Sequence, residues 1–161
     1  MYVERQRELD ATGLRIGIAV SRYHGDITEA LCQAAVGTFT AAGGKRDDLT
    51  IVSAPGSFEL TAMAGALAAR EDLDAVVALG CVIRGETAHD EYICRSVAQG
   101  LTAITLETGK PVAFGLLTCH TKHQARERAG GEHGNKGEEA MAAIIETVHT
   151  LRDIAAGKGT S

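Results

Sequence analysis

Short apolar runs alternate with helix-length stretches along most of this 161-residue chain, and this alternation restricts the fold more than any other feature. A parallel strand is covered on both faces, so it is apolar along its whole length. Each parallel pair also needs a long crossover, which is usually a right-handed helix. The alternation therefore predicts an α/β fold with a four-stranded parallel sheet between two layers of helices.

The predicted strands cover residues 15–21, 50–54, 75–83 and 111–117. The predicted helices cover residues 27–42, 58–70, 91–106, 121–129 and 136–154. Asp26 is predicted to cap the first helix, and Gly43-Gly44 to end it. We expect one domain over residues 1–161, with residues 1–11 and 156–161 either loose or reaching a neighbouring subunit.

Charge and hydropathy exclude several classes of function. The formal net charge is −5, and no run of lysine or arginine suggests a nucleic-acid partner. No apolar segment approaches the roughly 18 residues that cross a membrane. The charged N-terminal segment lacks the apolar core of a signal peptide. We therefore expect a cytoplasmic protein without membrane or nucleic-acid partners.

The four cysteines are irregularly spaced and include no Cys-x-x-Cys pair. In a cytoplasmic chain they are most simply small buried residues. Cys119, His120 and His123 could form part of a metal site, but Lys122 and Arg126 stand among them. The sequence therefore favours no metal.

Polar side chains follow the third predicted strand in Arg84-Gly85-Glu86-Thr87-Ala88-His89. Ligands of open α/β sheets bind outside the carboxyl ends of the strands, so this segment is a candidate site. The glycine spacing is nearly that of a P-loop, but Glu86 stands in place of the lysine, which argues against an NTPase. A single phosphate could still bind the backbone N–H groups of Glu86 and Thr87. Arg128 is a candidate counter-charge, unless it is simply a solvated helix end.

Two of the six aromatic residues stand at the carboxyl ends of predicted strands. Tyr23 and Phe58 follow the first and second strands, and Phe114 lies in the fourth. Aromatic side chains are usually core filler, but two of them at strand ends could also stack on a flat heterocycle.

Four blocks, at residues 54–60, 80–89, 111–118 and 128–137, resemble the lumazine synthase family in order and spacing. The resemblance extends over residues 12–150 and implies a flavodoxin-like fold. It also implies condensation of 5-amino-6-ribitylaminouracil with 3,4-dihydroxy-2-butanone 4-phosphate. The products would be 6,7-dimethyl-8-ribityllumazine, phosphate and water, in the penultimate step of riboflavin biosynthesis. This chemistry requires no cofactor or metal.

The resemblance also implies a role for each matching residue. His89 would move protons, and Glu86, Thr87 and Arg128 would bind the phosphate. The residues that would bind ribitylaminouracil are Tyr23, Ser57, Phe58, Glu59, Cys81, Val82, Ile83, Phe114 and Lys136.

Within this pattern, Phe114, Arg128 and Lys136 would come from the adjacent subunit. The implied homo-oligomer is a pentamer, which in some family members assembles further into an icosahedral cage of sixty subunits. Riboflavin synthase is an implied partner.

Five residues depart from the family pattern: His24 replaces an asparagine, Glu86 a small residue, Thr61 a proline, Asp90 an aromatic residue and Glu132 a residue that can be basic. Glu86 and Glu132 add negative charge to the part of the site that would bind the phosphate. Two alternatives therefore stay open, a flavin- or lumazine-binding paralogue and a shell-forming protein, each with little turnover.

Overall fold

The computed structural model describes residues 8–158 and contains a four-stranded sheet in which every neighbouring pair is parallel. The strand order is β2-β1-β3-β4. The chain therefore reverses its direction of winding between β1 and β3, and the crevice at such a reversal is where open α/β sheets bind ligands. The strands are β1 (Ile16–Ser21), β2 (Leu49–Ala54), β3 (Ala75–Ile83) and β4 (Val112–Cys119).

Helices cover both faces of the sheet, which confirms the predicted α/β/α layering. On one face α1 and α5 pack around a core that contains Phe39 and Met141. On the other face α2 and α3 pack around Leu60 and Val97. The helices are α1 (Gly25–Ala41), α2 (Leu60–Ala68), α3 (His89–Thr108), α4 (Lys122–Glu127) and α5 (Lys136–Ala155).

The structure corrects the predicted start of the first helix. α1 begins at Gly25, and its N-cap position is His24, in the left-handed region at φ 58°. Asp26 is therefore not the cap. Its carboxylate lies 3.2 Å from Lys122 Nζ and 3.4 Å from Arg126 Nη2, so it ties the first turn of α1 to α4.

The other elements fall close to their predicted positions. β3 has the predicted bounds, whereas α2 is shorter at both ends than the predicted helix over 58–70. α3 begins two residues before the predicted start, at His89, and ends at Gly109, whose φ of 70° stops the helix. A short 3-10 helix, Arg46–Asp48, precedes β2 and was not predicted.

The predicted glycine-rich turn is a small hairpin of β5 (Ala129–Gly131) and β6 (Gly134–Asn135). Asn135 then caps α5, because its side-chain oxygen accepts from the backbone N–H groups of Gly137 and Glu138. The Asn135 amide also donates to the carbonyl of Ala30 at 3.2 Å. This residue therefore joins the hairpin, α5 and α1.

Residues 8–11 contact the core of their own chain, although the sequence suggests a loose end or an arm over 1–11. Ala11 is buried, and its N–H donates to the carbonyl of Ala42 at 2.8 Å. The His149 ring lies 2.6 Å from the carbonyl of Asp10. The remaining parts of the two predicted ends, residues 1–7 and 159–161, lie outside the described residues.

None of the helices within residues 8–158 is long and apolar enough to cross a membrane. Over the same range, no group of three or more histidine, cysteine or acidic side chains could hold a metal ion. Cys81 and Cys119 are buried, Cys32 and Cys94 are half-buried, and all four are free thiols.

Candidate active site

A cavity of about 790 Å³ opens at the carboxyl ends of β1 and β3, at the reversal point of the sheet. Three chain segments form its walls: the β1–α1 connection, the β2–α2 connection and the β3–α3 loop with the first two turns of α3. Nine of the predicted site residues line it: Tyr23, Ser57, Phe58, Glu59, Cys81, Val82, Ile83, Thr87 and His89.

Two aromatic side chains that the sequence placed in the site line this cavity and are exposed in the single chain. Tyr23 has 67% of its surface exposed and Phe58 has 57%. Aromatic rings bury large areas in cores and ligand sites, so exposed rings at the mouth of a cavity indicate a binding surface for a flat molecule.

Ser57 supplies a polar group to the floor of the cavity. The residue is 6% exposed, and its hydroxyl has no hydrogen-bond partner among the described residues. A Cβ added at Gly80 would lie 2.9 Å from this hydroxyl and 2.7 Å from Leu116 Cδ1, so the glycine leaves the room that Ser57 occupies. A buried hydroxyl without a partner is costly, and a ligand in the cavity would provide one.

The β3–α3 loop presents its backbone to solvent. Residues 84–89 are all exposed. The Gly85 N–H is 3.5 Å from an Asp90 carboxylate oxygen, and the His89 N–H is 3.5 Å from Thr87 Oγ1, both at the limit of a hydrogen bond. Free amide groups at the start of a helix favour an anion, so this loop could hold a phosphate.

Cys81 also lines the cavity, but it is not a nucleophile. Burial, reinforced by Cys119, raises the pKa of the Cys81 thiol to about 12. The thiol therefore stays protonated at neutral pH and acts as a small apolar contact.

Four predicted site residues do not line this cavity. Glu86 lies in the exposed loop, and Phe114, on the edge strand β4, is 48% exposed. Arg128 Nη1 donates to the carbonyl of Gln124 at 3.1 Å, and Lys136 Nζ lies 2.6 Å from Glu139. Within one chain, the structure does not bring Arg128 to the β3–α3 loop, with which it is predicted to bind phosphate.

The cavity also includes side chains that the sequence did not identify as site residues. Tyr92, Ile93 and Ser96 extend its wall along α3, and His24 and Asp90 line it near the two loops. The three α3 residues stand three, four and seven positions after His89, the spacing that repeats one face of a helix. That periodicity is the signal that could have found them.

Comparisons with known proteins agree with the resemblance of the four sequence blocks. The family model of 6,7-dimethyl-8-ribityllumazine synthase matches residues 13–152. The chain is similar to the 6,7-dimethyl-8-ribityllumazine synthase of Aquifex aeolicus, with 44% identity over 91% of this chain and 96% of the relative. The enzyme of the same name from Thermus thermophilus is 47% identical over 91% of this chain and 93% of its own length. That from Porphyromonas gingivalis is 47% identical over 83% of each chain.

Proposed function

Because this chain belongs to the 6,7-dimethyl-8-ribityllumazine synthase family, we propose that the cavity between β1 and β3 is the active site in which the lumazine forms. The activity of the chain is lumazine synthesis, in riboflavin biosynthesis. The observation that carries the assignment of the site is the convergence of two exposed aromatic rings, a free buried hydroxyl and an amide-rich loop on one cavity.

The substrates are 5-amino-6-ribitylaminouracil and 3,4-dihydroxy-2-butanone 4-phosphate. The primary amine of the pyrimidine attacks the ketone, and loss of water gives an imine. The imine tautomerises, phosphate leaves, and the second amine closes the ring with loss of water. None of these steps changes the overall oxidation state, so the reaction consists of bond exchange and proton transfer.

The pyrimidine binds at the aromatic end of the cavity. Its ring stacks on Tyr23, and Phe58 covers the ribityl side of the site. Ser57 offers its partnerless hydroxyl, and Glu59 a carboxylate, to the polar groups of the substrate. The half-exposed Ile83, with Cys81 and Val82 below it, forms the apolar floor.

The phosphorylated ketone binds at the loop end. The backbone N–H groups of Glu86 and Thr87 and the Thr87 hydroxyl hold the phosphate at the start of α3. The Glu86 carboxylate is exposed, and solvent screens its repulsion of the phosphate. A cation must still balance the bound charge, and Arg128 supplies it.

His89 moves protons between the two reacting ends. It is the first residue of α3 and lines the cavity directly after the phosphate-binding loop. An imidazole can both accept and donate a proton, so histidine is a common acid and base in catalysis. Proton transfer by such a group accelerates a reaction by about 10²–10⁴-fold. Holding both substrates in the reactive orientation can lower the activation barrier by up to about 7–11 kcal/mol.

The active site is completed by a second copy of the chain, which supplies Phe114, Arg128 and Lys136. Their positions are consistent with the family pattern, because all three lie outside the cavity of their own chain. An apolar groove of about 290 Å³ runs beside Phe114, between α3 and β4, and includes the exposed Leu106. A head-to-tail contact of this kind closes into a ring, and we propose a pentamer.

The direct test is incubation of the purified protein with both substrates. We expect the absorbance of 6,7-dimethyl-8-ribityllumazine to appear together with one equivalent of inorganic phosphate. Omission of either substrate, or replacement of the ketone phosphate by its unphosphorylated form, should remove the signal. Binding of the lumazine without turnover of the substrates would contradict the proposal.

A further inference from the structure

His24 is the one residue other than glycine with a positive φ in the part of the chain that the structure describes. Its φ of 58° and ψ of 50° place it in the left-handed region, where asparagine, aspartate and histidine are the tolerated side chains. The carbonyl of His24 accepts from the N–H groups of Ile27 and Thr28, which starts α1. The backbone of this residue is therefore held in one conformation.

The imidazole of His24 contacts the ring that binds the pyrimidine in the proposed function. The ring centroids of His24 and Tyr23 are 4.7 Å apart, and the planes meet at 69°, an edge-to-face arrangement. Such pairs have a preferred geometry and contribute beyond simple burial. Tyr23 is 67% exposed, so this ring contact acts on a side chain that the rest of the chain covers only in part.

We propose that the neutral His24 imidazole is a positioning residue that holds the Tyr23 ring in the orientation required for stacking on the pyrimidine. The inference rests on the proposed function, because it takes Tyr23 as the stacking surface. It assigns His24 no contact with the reacting atoms. Its effect should therefore appear in the binding of one substrate and not in the chemical step.

The surroundings of His24 favour the neutral ring. Burial lowers the pKa of His24 below its ordinary value of 6.5, and the ammonium of Lys122 on α4 lowers it further. Asp26 on α1 opposes this shift, but its carboxylate is already paired with Lys122 and Arg126. The other titratable side chains that line the cavity are Tyr23, Glu59, Cys81, His89, Asp90 and Tyr92.

Protonation should therefore disturb the contact. As the pH falls through the lowered pKa, His24 becomes a cation beside Lys122 in a half-buried position. The imidazolium is repelled by Lys122 and gains hydration by turning outward, which leaves the Tyr23 ring without its support. Affinity for the pyrimidine should fall with pH for this reason.

The test compares the wild-type protein with His24→Asn, because asparagine keeps the left-handed backbone but has no ring. We expect the KM for ribitylaminouracil to rise about 2- to 10-fold in the variant. The KM for the ketone phosphate and kcat should change by less than about twofold. A His123→Asn variant is the matched control, since His123 is exposed on α4 and does not line the cavity.

The pH profile separates positioning from a general structural effect. In the wild type, the KM for the pyrimidine should rise as the pH falls below 6.5, beyond any rise in His24→Asn. Effects of pH that are common to both proteins, including those on the substrate, cancel in the comparison. The dissociation constant of the fluorescent lumazine, measured without turnover, should show the same difference.

Identical pyrimidine KM values and identical pH profiles in the two proteins would overturn the role of His24. An equal rise in both KM values, with a lower melting temperature, would overturn it in favour of a structural role. A wild-type protein that forms no lumazine would instead contradict the proposed function. The product-binding measurement would then still decide whether His24 supports the aromatic surface.

Discussion

At the scale of single residues, Arg128 balances the phosphate charge and His89 moves protons in the proposed reaction. The structure of one chain suggests a role for only one of these two residues. His89 lines the cavity, so its position alone suggests a role. Arg128 ends α4, donates to Gln124 and resembles an ordinary helix terminus. The local sequence makes it only a candidate, and its place in a family block is what favours a phosphate-binding role, because its proposed phosphate ligand binds to another copy.

Arg128→Ala removes the cation that balances the phosphate, so we expect a loss of about 2–4 kcal/mol in transition-state stabilisation. The loss should appear as a lower kcat/KM for the phosphorylated ketone, while the KM for the pyrimidine stays nearly constant. Arg152→Ala is the matched control, because its ion pair with Asp74 lies at the opposite end of the sheet. Equal weakening of both substrates by Arg128→Ala would show that the residue does not bind phosphate.

His89→Ala removes the proton carrier but leaves both binding surfaces in place. Because positioning supplies most of the acceleration, we expect kcat to fall by only about 10–10³-fold, with both KM values nearly unchanged. Steady-state kinetics with each substrate varied in turn measure this. Complete loss of turnover in a folded protein that binds both substrates normally would give His89 a larger role than proposed.

The cavity residues that the sequence did not predict were all missed for the same reason. Tyr92, Ile93 and Ser96 line the cavity through the helical face that they share with His89, and no motif marks them. His24 lines the cavity because the chain takes a left-handed conformation at this residue, after β1, and a single histidine in a sequence does not predict that conformation. Such residues follow from backbone geometry, which a local sequence pattern specifies weakly.

At the scale of elements, strands were easier to predict than helix ends. β3 is buried along almost all of its length, so its apolar run has sharp limits, and the predicted bounds agree with the structure. The start of α1 was predicted wrongly because Asp26 is a favourable cap residue by type. Its carboxylate instead pairs with two cations on α4, a contact between elements 100 residues apart that local rules do not include.

The contact between α1 and α5 depends on the absence of a side chain at Gly137. A Cβ added there would lie 1.9 Å from the carbonyl oxygen of Leu31, which is backbone and cannot turn aside. Gly137→Ala should therefore lower the free energy of unfolding by about 3 kcal/mol or more. Urea titration at a fixed protein concentration measures this, since association contributes to apparent stability.

The matched control for this prediction is Gly37→Ala. Gly37 is exposed on α1 and has nothing within 4 Å of an added Cβ. Alanine favours a helix by about 0.8–1.0 kcal/mol over glycine, so this variant should be slightly more stable. Two glycine-to-alanine changes on packed helices should thus have opposite signs. A neutral Gly137→Ala would mean that α5 can move away from α1 without cost.

At the scale of the whole molecule, the single chain contains a folded scaffold, and we propose that a second copy of the chain completes its site. The aromatic and loop ends of the cavity belong to one chain, whereas Phe114, Arg128 and Lys136 lie outside it. The half-exposed Phe114 and the exposed Leu106 beside the α3–β4 groove give a second copy an apolar surface to cover. Periodicity predicted the fold, whereas the expectation of a shared site came only from the family pattern.

The most direct test of the shared site mixes two impaired variants, Arg128→Ala and His89→Ala, under conditions in which subunits exchange. In mixed rings, the intact cavity of an Arg128→Ala chain can meet the intact Arg128 of a His89→Ala chain. With random mixing, about a quarter of the sites should have both residues. Activity should therefore rise to about a quarter of the wild-type value, well above either variant. No gain in activity, with exchange verified by mass spectrometry, would contradict the shared site and place the complete site within one chain.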